Sequence, residues 1–219
     1  LLISINENNS ATEKVNKTNI SQSGDIVLMN KLKELRKKIA DDKSIPPYVI
    51  FQDPSLNEMT FRYPISTDEL SSIFGVGEGK AKKYGKDFIE LIAKHVEENN
   101  IDRPDDMVVK SAGKNSSLKL FIIQGIDRKL SIEDIAQSKS MQVEELISEM
   151  ETIVYSGTKL DLSYCIDDYL DEDQQDELYD YFIESESDDI EIALTEFDGE
   201  YDEFELKLFR IKFLSDLAN

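Results

Sequence analysis

Apolar residues along this chain recur at helical rather than alternating spacing over most of its length. Leu28, Leu32, Leu35 and Ile39 share one face of a helix that must stop before Pro46, because a residue preceding proline is pushed out of the α region. Asp53 or Ser55 caps a short helix through Leu56 and Met59, closed before Pro64. Ser66 and Glu69 have capping-box spacing for the next, which carries Leu70, Ile73 and Phe74. The run Gly75-Val76-Gly77-Glu78-Gly79 then turns directly into a longer helix burying Ala81, Tyr84, Phe88, Leu91 and Ile92, with His95 at the end of that face.

After a linker predicted over 99–115, the pattern resumes. A helix through Leu118, Phe121 and Ile122, a short one around Ile135-Ala136 and a third from Gln142 to Tyr155 make a helix-turn-helix arrangement. On the third, Val143, Leu146, Ile147, Met150 and Val154 face inward, leaving Glu144, Glu145, Ser148, Glu149 and Glu151 outward. Leu160-Asp161-Leu162 suggests a short wing hairpin, and helices follow near Glu172–Ile183 and Asp189–Phe197. The last helix, Asp202–Leu217, is apolar on two sides, Phe204, Leu208 and Ile211 against Leu206, Phe209, Phe213 and Leu217. Such a helix is central to its core or covered by a partner, for instance a second copy forming a homodimer. The fold class expected is all-α, in two domains over 26–98 and 116–219, with 1–25 a flexible linker cut from a longer protein.

Charge divides the chain the same way. Up to Asn115 there are 17 Lys+Arg against 18 Asp+Glu, and from Ser116 onward 8 against 28. Only the first part approaches a polyanion at low electrostatic cost, and the split suggests that the acidic part restrains the basic one. One cysteine, Cys165, and one histidine leave no intrachain disulfide and no Cys/His metal site. Nothing in the sequence spans a membrane or opens as a signal peptide, so a cytoplasmic, nucleoid-associated setting is expected.

Candidate chemistry gathers in the first domain. Lys33, Arg36 and Lys37 project from its first helix, either as a solvated face or toward phosphates. Pro46-Pro47 stiffens the backbone before Tyr48, which serves as a base-stacking platform or as a rim residue of the core. Gly75 and Gly77 precede a helix start bearing Lys80, Lys82, Lys83 and Lys86, cations that oppose the helix dipole and suit an anion instead. A Gly-rich turn serving only the fold is the alternative. It is not a nucleotide-binding P-loop, since Lys80 stands where the second glycine should be. The third helix of the second domain carries no Lys or Arg between Gln142 and Tyr155, which argues against groove reading. The carboxylates of 167–205, Asp171, Glu172 and Asp176 among them, lack calcium-loop spacing and read as solvated surface.

LMNKLKELRKKIADDKSIPPYVIFQDPSLNEM followed by IFGVGEGKAKKYGKDF resembles the HRDC domain (helicase and RNase D C-terminal) over roughly Val27–Glu97. The second domain is similar to the helix-turn-helix that follows HRDC in RecQ proteins of the Bacteroides group. The resemblance implies the C-terminal accessory region of a RecQ-family ATP-dependent DNA helicase acting in repair and recombination. It implies an HRDC bundle that binds single-stranded or junction DNA, with Tyr48 and nearby basic residues on that surface. The acidic domain would contact the helicase core or another protein. No catalytic residue or metal site is expected in these residues, and ATP and Mg²⁺ belong, by family implication, to the motor. The rivals are the HRDC region of a ribonuclease D-like exonuclease and a protein-interaction module that binds no DNA.

Overall fold

The computed structural model describes residues 24–103 and 115–218, all in helices, turns and loops. The predicted linker falls largely outside the described residues. Helix α1 (Ile26–Lys43) starts at Asp25, whose carboxylate accepts the Leu28 N–H at 2.9 Å, and ends at Ser44 in the left-handed region. Pro46-Pro47 forms a single helical turn, α2 (Pro47–Ile50), since the fixed φ of proline suits a first helical position. Helix α3 (Asp53–Arg62) stops at Tyr63, which takes a positive φ before Pro64. Ser66 caps α4 (Thr67–Ser71), while the Glu69 carboxylate reaches past it to the Ile65 N–H at 2.7 Å.

Helix α5 (Glu78–Asn99) closes the first bundle. Leu28, Leu32, Ile50, Phe51, Leu56, Met59, Phe88 and Ile92 are all fully buried there, with Phe51 edge-on to Phe88 at 4.8 Å between ring centroids. His95 ends the buried face, as its spacing suggests. Its Nε2 lies 2.7 Å from the Asp25 carboxylate, tying the end of α5 to the cap of α1. Burial would raise the Asp25 carboxyl, but the Leu28 N–H and His95 outweigh it and hold it low.

The second domain comprises α6 (Asn115–Asp127), α7 (Ile132–Ser138), α8 (Val143–Tyr155), α9 (Glu172–Glu184), α10 (Ile190–Glu196) and α11 (Glu203–Ala218). Helix α11 is central: Leu206, Leu208, Phe209, Ile211, Phe213 and Leu214 are buried, and α8, α9 and α10 all pack on it. Both of its apolar sides are covered within the chain, so it requires no second copy.

Three expectations are corrected. The wing hairpin is absent among the described residues. Leu160 and Leu162 turn into the core instead, and the Leu160 N–H donates to Ser215 Oγ at 3.2 Å, so no ladder forms. Glu151 is not a solvated carboxylate, because it pairs with Arg210 of α11. Lys80, expected with Lys82, Lys83 and Lys86 as a cation suited to an anion at the start of α5, is 2% exposed. The reason is the same in the last two cases: the helices are packed on a face that only a distant part of the chain supplies.

Candidate nucleic-acid interface and the domain junction

The candidate residues fall into three environments. The first is structural pairing on α1. Asp53 at the start of α3 receives Lys33 Nζ at 2.7 Å and Arg36 Nη2 at 2.7 Å, and Arg36 Nη1 donates to the Phe51 carbonyl at 2.6 Å. Partial burial opposes ionisation of Asp53, yet the Lys33 and Arg36 bonds keep its carboxyl low. Both cations therefore already hold α1 to α3, whereas Lys37 stays exposed.

The second environment is the junction between domains. Tyr48 is 4% exposed, and its hydroxyl donates to the Phe182 carbonyl at the end of α9. Burial, reinforced by the nearby Asp188 charge, pushes its phenol well above the ordinary value. Stacking a base on this ring requires the two domains to part.

The glycine run lies in the same junction. Gly75 has φ +70°, which favours glycine. Gly77 is in an ordinary extended conformation and is needed for space: a Cβ there would sit 2.2 Å from the Ser156 carbonyl oxygen. At Gly79 it would sit 2.9 Å from the Gly157 oxygen, and at Gly157 it would sit 2.9 Å from Lys80 Cγ. The first turn of α5 thus abuts the last turn of α8 backbone to backbone. Lys80 is enclosed here, and desolvation depresses its ammonium from 10.5 to about 8 despite the opposing Asp188 charge.

Asp188, expected among the solvated carboxylates of 167–205, is instead 9% exposed and organises the polar side of the junction, because Gln52 and Tyr155 bond it from distant parts of the chain. One of its carboxylate oxygens accepts both Gln52 Nε2 at 2.8 Å and the Tyr155 hydroxyl at 2.6 Å, and its backbone carbonyl accepts Arg210 Nη1. Arg210 also bonds Glu151. Burial first, then Asp188, raises the Tyr155 phenol. Sequence reasoning missed Gln52, Tyr155, Asp188 and Arg210. The available signal was Arg210 itself, a lone guanidinium between Phe209 and Ile211 on a helix apolar on two sides.

Between the domains lies a cleft of about 720 Å³. Asp53, Glu186, Asp188, Asp189, Glu191 and Glu203 outnumber Lys33, Arg36, Lys207 and Arg210 around it, so it does not favour a free anion.

The third environment is open surface. Lys82, Lys83 and Lys86 are exposed on α5. Lys82 pairs with Glu78 one turn away at 2.5 Å, with both side chains exposed. Lys83 Nζ is 5.3 Å and Lys43 Nζ 6.0 Å from the Tyr84 ring centroid, bringing the end of α1 beside the first turns of α5. On the second domain, the position of a recognition helix is taken by α8, which exposes Glu144, Glu145 and Ser148. Among the described residues, no helix is long and apolar enough to cross a membrane, and no group of three or more metal-ligating side chains occurs.

Comparison with known proteins supplies two matches in tandem. Residues 25–92 match the HRDC domain, and residues 116–166 match the RecQ-1-like helix-turn-helix domain. "ATP-dependent DNA helicase RecQ" of Bacillus subtilis (strain 168) is 46% identical over 65 residues, 30% of this chain and 11% of that relative. The protein of the same name from Haemophilus influenzae is 44% identical over 68 residues, 31% of this chain and 11% of that relative. "ATP-dependent DNA helicase Q-like 4B" of Arabidopsis thaliana is 32% identical over 80 residues, 36% of this chain and 7% of that protein. The chain thus spans only about a tenth of the length of the bacterial relatives it matches.

Proposed function

We propose that this chain, which carries an HRDC domain followed by a RecQ-1-like helix-turn-helix domain, is the accessory region of a RecQ-type ATP-dependent DNA helicase acting in repair and recombination. The observation that carries this is the tandem order of the two domains, because the second is a RecQ-type module and an exonuclease parent gives no reason for it. ATP and Mg²⁺ would serve a motor elsewhere in the parent.

Within this reading the HRDC domain binds single-stranded or junction DNA weakly, through phosphate contacts from Lys37, Lys82, Lys83 and Lys86, with Lys43 beside them. Exposed lysines neutralise backbone phosphates without reading sequence. The acidic domain contacts protein, since its surface carboxylates would repel a phosphate backbone.

The test is fluorescence anisotropy of a labelled single strand with the full chain at two salt concentrations, beside a Lys82/Lys83/Lys86→Ala triple variant. Binding should weaken as salt rises, and the triple variant should shallow the log–log salt slope by about 2 if each lysine meets one phosphate. Absence of binding at low salt would contradict it. The second reading, a protein-interaction module that binds no DNA, is favoured by one observation: Tyr48 and Lys80 are buried under the acidic domain.

A further inference from the structure

The face carrying Tyr48, Gly77, Gly79 and Lys80 is covered by carbonyl oxygens and the Asp188 carboxylate, with Arg210 bonded to the Asp188 carbonyl and Lys119 to Ser156 Oγ. Gly77 is the N-cap of helix α5, so the helix's first amides and the positive end of its dipole lie here. Helix α8 ends opposite, presenting its negative end, with the Ser156 and Gly157 carbonyl oxygens against Gly77 and Gly79. Asp188 adds a full negative charge that acts on Lys80 and accepts Gln52. An aromatic ring, amides, a lysine and a carboxamide are groups that suit a nucleotide; here Tyr48 donates to the Phe182 carbonyl, Gln52 donates to the Asp188 carboxylate, and the Asp188 charge acts on Lys80.

The junction is also built to part. The first domain has its own closed core of Leu28, Leu32, Phe51, Leu56, Phe88 and their neighbours, and lends the second core chiefly Tyr48 and Val49. The cross-domain contacts also include the close backbone approach of Gly77 and Gly79 to Ser156 and Gly157, and two hydrogen bonds, Tyr48 to Phe182 and Gln52 to Asp188, which water can replace.

We propose that this face has two alternative occupants, the α8 end with Asp188 in the closed chain and a nucleic-acid phosphodiester strand in the open one. The acidic domain then acts as an internal competitor that lowers affinity until something draws it away. The inference rests on the nucleic-acid reading above and names the device that regulates it.

The test uses the full chain with a donor and an acceptor dye on Glu34→Cys and Asp173→Cys, both exposed and on different domains, while Cys165 is buried and escapes labelling. Saturating oligothymidine should lower energy transfer in this otherwise wild-type protein. Ser156→Trp and Asp188→Ala, both outside the first domain, should lower transfer without DNA. They should also tighten binding about tenfold, the gain expected if the open form is about a tenth of the unbound population. Binding with unchanged transfer, or opened variants that bind no tighter, would overturn the competition while leaving nucleic-acid binding intact. If no protein binds the strand, the opened variants included, the nucleic-acid reading fails and the competition with it.

Discussion

Lys80 and Lys82 stand two residues apart at the start of one helix and meet opposite fates. Lys82 is exposed and leans on Glu78, an ion pair that solvent screens and that adds little. Lys80 is enclosed against the α8 end within reach of the Asp188 charge, where each unsatisfied group carries its full desolvation cost. The difference separates two environments on α5: the exposed lysines face solvent, and the buried one lies in the contact between the domains.

The largest effect should come from Asp188→Ala, which strips a partner from Gln52 and Tyr155 and leaves Lys80 without a nearby counter-charge. A loss of about 2–4 kcal/mol is expected, read as a lower midpoint in denaturant unfolding. Gly77→Val comes next, driving a side chain into the Ser156 carbonyl. About 1–3 kcal/mol is expected, with the first domain still folded by circular dichroism.

A smaller effect is pH-dependent. Burial lowers Lys80 from 10.5 to about 8, so below pH 8 the folded chain holds a disfavoured charge. Between about 8 and 10 the unfolded chain binds more protons than the folded one, so stability should rise with pH there. Lys80→Met should abolish that rise, and a wild type whose stability is flat across this window would contradict the burial. Smallest of all, the Lys82/Lys83/Lys86→Ala triple variant should leave the unfolding midpoint where it is while weakening DNA binding.

These contrasts also show what the sequence made legible. Helices α1, α5, α8 and α11 follow from apolar periodicity, and the stop of α1 and the start of α5 from Pro46 and the glycine run, because those signals act within a few residues. The two-sided apolar face of α11 pointed to a central helix. The junction was not legible, since Tyr48 meets Phe182 and Gln52 meets Asp188 across more than a hundred residues. Lys80 read as a surface cation because nothing local buries it. The glycines drew attention as a tight turn, which the positive φ of Gly75 bears out, whereas the close approach of Gly77 and Gly79 to α8 was not legible. Leu160 and Leu162 alternate like a strand, yet both serve the core, where Ser215 rather than a neighbouring strand takes the Leu160 amide.

The central claim, that the acidic domain seals the Tyr48–Lys80 face while leaving the neighbouring lysines open, is tested most directly by amine acylation of the native full chain at pH 8, read residue by residue by mass spectrometry. Lys80 should resist modification although its lowered pKa supplies more of the reactive free amine, while Lys82, Lys83 and Lys86 react, and Asp188→Ala should expose it. Lys80 labelling as fast as Lys82 in the wild-type chain would contradict the account.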